Sequence, residues 1–281
     1  MSWFRLFLLS SLLVTTACTA TTSGAAAHAP PSYATGEVAV DNTLPSSHAS
    51  ISTPASGEAA GRPTPALERP GLATQWGEAI QSPITMSPFV RASEQPWATL
   101  VLHYNSEDGV RAYADYLGGA MSPLEASLGD GALGVALIDD RGQLLPGVIA
   151  GGRHLVVGKD GERYQIVIRN TTEARFEIVT SVDGLDVLDG QPASPSRRGY
   201  LVDPHDTLVI DGFRRSSDEV AAFRFGPVAS SYAARTSGDA NVGVIGVAVF
   251  AERGAAWTPS ELGRRDQADP FPARSYAAPP S

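Results

Sequence analysis

The sequence predicts a mainly β fold, an antiparallel β-sandwich or jelly roll with one short helix, set between a disordered N-terminal tether and a disordered tail. Three observations carry this. Arg163-Tyr164-Gln165-Ile166-Val167-Ile168-Arg169-Asn170 alternates apolar and polar residues with the period of two of a half-buried strand. Further apolar runs recur at short intervals as far as Phe250, separated by Asp-Gly, Asn-Thr and Pro-containing turns. Of the 21 prolines of the 281-residue chain, 12 fall in the flanks outside residues 71–253, which points to one compact domain over residues 71–253 rather than two domains.

Taken in order, the chain opens with Arg5, then the apolar run Leu6 to Val14, then Thr15-Thr16-Ala17-Cys18. The apolar run is shorter than the roughly 20 residues of a membrane-spanning helix, and small residues precede the cysteine, as in a cleaved export signal over residues 1–17. Cys18 is the one cysteine of the chain, which excludes an intramolecular disulfide, a CxxC redox pair and a cysteine-built zinc site. Residues 18–70 are dominated by Ala, Ser, Thr, Pro and Gly, with too few apolar residues for a core, and read as a disordered tether.

The Thr15-Thr16-Ala17-Cys18 ending resembles the lipobox of bacterial lipoproteins. The resemblance implies that Cys18 carries lipid, including palmitate-type acyl chains, and becomes the mature N-terminus. Thr19, standing where inner-membrane lipoproteins of enterobacteria carry Asp, implies the outer membrane, with the domain facing the periplasm or the cell surface. Each buried methylene contributes about 0.8 kcal/mol of membrane affinity, so several acyl chains hold a protein durably where one does not. An ordinary secretory signal cut near Ala17 or Ala20 is the alternative.

From Gly71 apolar residues return, and order is expected to begin there. Trp97 to Tyr104 looks like the first good strand, and Val110, Tyr113, Ala114 and Leu117 fall at helical spacing ahead of Gly118-Gly119. His103 is a conceivable base or ligand but reads more simply as structural; the trio Tyr104, Tyr113 and Tyr116 could line a sugar-binding face, with core and rim as the plainer reading. Gly129 to Gly134 matches GxGxxG but follows a Pro- and Gly-punctuated segment and leads into a strand-like run instead of a helix, so no cofactor is expected. Strands follow at 135–138, 144–150 and 154–157, and Lys159-Asp160-Gly161 signals a hairpin into the strand at Arg163. Tyr164, Ile166 and Ile168 share a face, as do Phe176, Ile178 and Val182 after the 170–174 turn, as in a sheet with one wet face.

Three loops carry the remaining polar chemistry. Asp183, Asp186 and Asp189, three residues apart, are weak calcium candidates, although Asp183-Gly184 and Asp189-Gly190 have the form of tight turns. Asp203, His205 and Asp206 could support acid–base work or a metal, or belong to a Pro-centred turn between two strands. Arg214 and Arg215, in what reads as an exposed loop over 212–219, could meet an anionic partner. Asn241 to Phe250, apolar on both faces, reads as a central strand, and residues 254–281 as a disordered tail. No GxSxG, HExxH or Walker A pattern occurs, so no catalytic residue is expected. With 30 acidic against 21 basic residues and the arginine pairs scattered, nucleic acid is not expected as a partner.

Segments 181–190, 198–200, 212–214 and 241–250 are similar to those of exported bacterial proteins without an assigned activity, which implies a shared fold and transfers no site. The expectation is an envelope lipoprotein presenting a β-sandwich that binds a protein, peptidoglycan or glycan. A periplasmic inhibitor or immunity lipoprotein, and an envelope hydrolase using Asp203, His205 and Asp206, are the alternatives.

Overall fold

The computed structural model describes residues 37–40, 69–255, 265 and 267–270. The signal sequence, Cys18, and most of the 18–70 and 254–281 segments lie outside the described residues. In chain order the elements are β1 (Glu37–Val40), β2 (Leu72–Gln81), β3 (Thr85–Pro88), β4 (Ala98–Asn105), α1 (Glu107–Leu117), β5 (Ser122–Pro123), β6 (Glu125–Leu128), β7 (Leu133–Ile138), β8 (Pro146–Ala150) and β9 (Arg153–Val157). They continue with β10 (Arg163–Asn170), β11 (Phe176–Val182), β12 (Leu185–Asp186), β13 (Tyr200–Val202), β14 (Thr207–Ile210), β15 (Gly212–Arg214), β16 (Glu219–Pro227), α2 (Tyr232–Thr236) and β17 (Val244–Ala251).

These strands form two sheets, so the fold is the sandwich that the alternation predicts. The larger runs β3-β1-β13-β11-β17-β4-β9-β8-β5, with β12 on β11; the smaller runs β15-β16-β10-β7-β6, with β14 along β10 and β2 along β16. Their inner faces meet in one core, where Leu102, Ile178 and Val249 of the first sheet oppose Leu137, Ile166 and Phe223 of the second. Burying such a side chain contributes about 1.5–3 kcal/mol each. β17 lies between β11 and β4, as its two apolar faces require. Pairing is antiparallel except at β1–β3 and β4–β9. A parallel pair needs a long crossover. Between β4 and β9 that crossover contains α1, whose Val110 and Ala114 pack on Val148, Ala150 and Leu155. Ser106 caps α1 by accepting from the Gly109 N–H at 3.3 Å, and Glu107 and Asp108 complement the positive end of its dipole.

Several local expectations change. β9 lies in the first sheet and β10 in the second, so Lys159-Asp160-Gly161 turns a crossover between sheets, not a hairpin. The same holds for the 171–175 connection into β11 and for Asp203 to Asp206 between β13 and β14. All three connections are longer than the two residues of the tightest hairpins, and their turn residues reverse the chain without fixing which sheet receives it. β11 has no wet face: Glu177 is 2% exposed and Val179 packs with Phe89, Leu201, Ala248 and Phe250 in a second apolar cluster on the outside of the sheet. Within the segment read as tether, Glu37–Val40 pairs with β3 and β13. Among the described residues no helix is long and apolar enough to cross a membrane.

Candidate functional site

Two of the three polar loops meet, and the third stands apart. The first begins at Asp183-Gly184, the two-residue turn between β11 and β12, where Val182 pairs with Leu185 and both turn residues have positive φ (54° and 82°). This is the backbone that Asp-Gly favours in a tight hairpin. The Asp183 carboxylate then turns inward: it accepts from the Thr74 N–H at 2.7 Å, the Tyr104 hydroxyl at 2.6 Å and the Gly243 N–H at 2.8 Å. Asp186 Oδ1 accepts from the Leu188 N–H at 2.8 Å, and Asp189 bonds the Gln191 N–H at 2.9 Å and pairs with Arg197. The three carboxylates thus serve three different sets of partners, and among the described residues no cluster of three or more His, Cys, Asp or Glu is placed to hold a metal ion.

The 212–219 stretch is corrected from loop to hairpin. Gly212–Arg214 is β15, Phe213 is fully buried, and the exposed tip is limited to Arg215 to Asp218. Arg214 is held in place: its Nε donates to the Tyr200 hydroxyl at 2.9 Å and its Nη1 to the Ser82 carbonyl at 2.6 Å. Arg215 instead pairs with Glu219 at 3.7 Å on the surface, where such a pair contributes about 0–1 kcal/mol.

Around Arg214 the chain forms an open cleft of about 710 Å³. Ile84, Met86 and Leu188 give it apolar surface, while Asp186, Asp189, Arg197, Arg198 and Arg214 give it charge. Its back wall is braced by Arg91, which donates to the carbonyls of Pro195 and Arg197 and to the buried Glu177 carboxylate. Asp186, Asp189 and Arg214 stood out in the sequence as loop candidates, although Asp186 lies in β12 and Arg214 in β15; Arg197-Arg198 stood out only as one of the scattered arginine pairs, and Ile84 and Met86 carried no signal, since they reach the cleft through tertiary packing.

Asp186 is 1% exposed, and its Oδ2 has no hydrogen-bond partner among the described residues. Burial raises its pKa above the ordinary 3.8, against the Leu188 N–H that favours the charged form. The folded protein therefore holds this proton at pH values where the unfolded chain has lost it, so the Asp186 contribution to stability falls as pH rises from about 3.8 through the folded pKa. Asp186→Asn removes the charge and keeps the acceptor. Urea unfolding is expected to show the variant at least as stable as the native chain at pH 7, the advantage disappearing by pH 3.5; a native advantage that grows with pH would contradict an unpaired buried carboxylate.

The third loop is a surface turn, with Asp203, Pro204 and His205 exposed. His205, at φ 55°, donates its backbone N–H to the Thr172 carbonyl, and its Nε2 sits 2.8 Å from Glu173 on the surface. Asp206 Oδ1 accepts the Thr207 N–H, and the Asp203 carbonyl accepts from Asn170. These residues form the crossover turn, and none lines any of the three cavities described here.

Two further concavities lie beside α1. One, of about 180 Å³, is lined by His103, Arg69, Arg153 and Gly243. Burial, aided by Arg153 and His154, lowers the His103 pKa, which favours a neutral ring. The other, of about 590 Å³, runs along Pro70, Asn105, Tyr113 and Tyr116. The tyrosine trio divides: Tyr104 is in the core, whereas Tyr113 and Tyr116 are exposed, contrary to the expectation that Tyr113 lies on the packed stripe of the helix. Comparison with family models, with curated proteins and with solved structures finds no match to the chain.

Proposed function

We propose that the chain is a non-catalytic recognition module of the bacterial cell envelope, held at the outer membrane by lipid on Cys18, that binds a carboxylate-bearing peptide or glycan in the cleft around Arg214. One observation supports the reading above the rest: segments far apart in sequence bring Arg197, Arg198 and Arg214 to one cleft beside the apolar surface of Ile84, Met86 and Leu188. Guanidinium groups match the geometry of carboxylates, and the apolar wall suits a ligand with a hydrocarbon body. Against the acidic overall balance, a formal net charge of −9, a cleft with three arginines to two aspartates is a local exception.

Soluble peptidoglycan fragments with free stem-peptide carboxylates supply the probe. Calorimetric titration is expected to show binding to the full chain that weakens at least tenfold in Arg197→Glu, a substitution at the cleft rim, and in Ser196→Trp, which fills the cleft. Equal affinity in all three proteins would remove the cleft from consideration. The anchor has its own test: Cys18→Ala is expected to abolish acyl labelling and to move the protein from the membrane to the soluble fraction, and unchanged retention would refute lipid attachment.

A further inference from the structure

The slot occupied by Glu37–Val40 has properties that the cleft does not explain. β1 pairs in parallel with all four residues of β3, from Glu37↔Thr85 to Val40↔Pro88, but with β13 only through Glu37↔Leu201 and Val38↔Tyr200. It reaches this position from a point 31 residues before β2, so its neighbours in sequence are not its neighbours in the sheet. The other edge of β13 is already satisfied by β11.

β3 is fixed by groups other than β1. At its N-terminal end the Ile84 N–H donates to the Ser217 carbonyl at 2.9 Å, next to Ser82 N–H to Asp218 at 2.8 Å. At its C-terminal end Arg175 donates to Ser87 Oγ at 3.3 Å and to the Pro88 carbonyl at 2.9 Å, and Phe89 packs into the outer apolar cluster. Removing β1 therefore leaves two anchored strands, β3 and β13, separated by one strand width, roughly twice 4.8 Å. Both would face the gap with unpaired backbone donors and acceptors, the arrangement that adds a strand from another chain. The gap also borders the cleft, because Met86 pairs with Val38 and lines the cleft as well.

We propose that the slot between β3 and β13 is a strand-accepting site: an extended segment of a partner protein, of the short, valine-rich apolar type shown by Glu37-Val38-Ala39-Val40, enters by main-chain pairing and displaces the chain's own strand. Glu37–Val40 acts as an internal plug that keeps the edge from non-specific pairing until such a partner arrives. This inference stands on strand pairing and does not depend on the cleft binding a carboxylate.

The probe is a synthetic fluorescent peptide of residues 35–42, Thr-Gly-Glu-Val-Ala-Val-Asp-Asn, titrated against the full chain and against its Val38→Pro variant, in which proline removes a ladder donor from the plug. The peptide is expected to bind the variant at least tenfold more tightly than the native chain, and the same peptide with proline at the Val38 position is expected not to bind. Equal affinity for both proteins, or no binding to a variant whose near-ultraviolet circular dichroism is native, overturns the proposal. Hydrogen exchange on the unaltered chain provides a second test. Amides of residues 37–40 are expected to exchange at least a hundredfold faster than those of β17, and equal protection would show a permanent strand. A concentration-dependent dimer that Val38→Pro abolishes would make the occupant a second copy and would overturn the partner strand.

Discussion

Asp183→Ala is expected to destabilise the protein by about 4 kcal/mol or more, a large fraction of the roughly 5–15 kcal/mol that holds a domain folded. The carboxylate ends a chain of hydroxyls. Tyr104 donates to Asp183 Oδ1, Thr74 Oγ1 lies 2.8 Å from the Tyr104 hydroxyl, and the Tyr164 hydroxyl lies 2.6 Å from Thr74 Oγ1. With one proton per hydroxyl, the consistent direction is Tyr164 to Thr74 to Tyr104 to the carboxylate. The chain passes from β10 and β2 in one sheet to β4 and the β11–β12 turn in the other, so it ties the two layers inside their core. Burial raises the pKa of Asp183 and drives those of both tyrosines far up, which keeps the phenols protonated as donors.

Truncation to alanine leaves the Tyr104 hydroxyl and the Thr74 and Gly243 N–H groups without their acceptor, at about 1–3 kcal/mol each when buried. It also places alanine in the left-handed region, at about 1–2 kcal/mol. These losses are not strictly additive, hence the lower total. Asp183→Asn keeps the turn conformation and one acceptor but sets an amide NH₂ against one of the donors, for about 1–3 kcal/mol. Tyr104→Phe removes one donor to the carboxylate and the acceptor of the Thr74 hydroxyl but leaves Asp183 its two N–H partners, so it is expected to cost less than Asp183→Ala. Urea unfolding of the series checks the order; an alanine variant within about 1 kcal/mol of native stability would mean the network is not a brace.

That brace shows which parts of the molecule could be read from the chain. Asp183-Gly184 was legible as a turn because an Asp-Gly pair between apolar runs carries its backbone requirement in two letters. Its second role was not, since Thr74, Tyr104 and Gly243 lie 109, 79 and 60 residues away. The strands with clean alternation, β10 above all, were legible for the same local reason, and β17 was legible from its two apolar faces. β2 was not: Leu72, Ala73, Trp76, Ala79 and Ile80 follow no period of two, and the strand is set by pairing along the length of β16, with an irregularity between Ala221 and Phe223. Trp76, 44% exposed, stacks on Phe213 at a ring separation of 6.1 Å and so spends its surface on a neighbour distant in sequence. The cleft followed the same rule. Its turn residues were visible, whereas the segment 194–198 that closes it has no period and is held by Arg91, more than a hundred residues earlier.

Arg91→Ala is therefore expected to affect stability and recognition together. The guanidinium lies 3.6 Å from the centre of the Phe250 ring and bonds Glu177 Oε2 through Nε, while Glu177 Oε1 accepts the Gly199 N–H at 2.8 Å. Glu177 is 2% exposed, so deleting the arginine strands a buried carboxylate with a single hydrogen bond, at about 3–5 kcal/mol. If the loss comes from the stranded charge, neutralising it should restore most of the stability: Arg91→Met with Glu177→Gln keeps hydrocarbon over Phe250 and leaves no charge in the interior. Recognition should respond differently. The same guanidinium holds the carbonyls of Pro195 and Arg197, which methionine cannot do. The double variant is thus expected to recover thermal stability without recovering fragment binding at the cleft. Native stability in Arg91→Ala would sink the charge argument, and full binding in the stable double variant would show that the 194–198 wall holds its shape without Arg91.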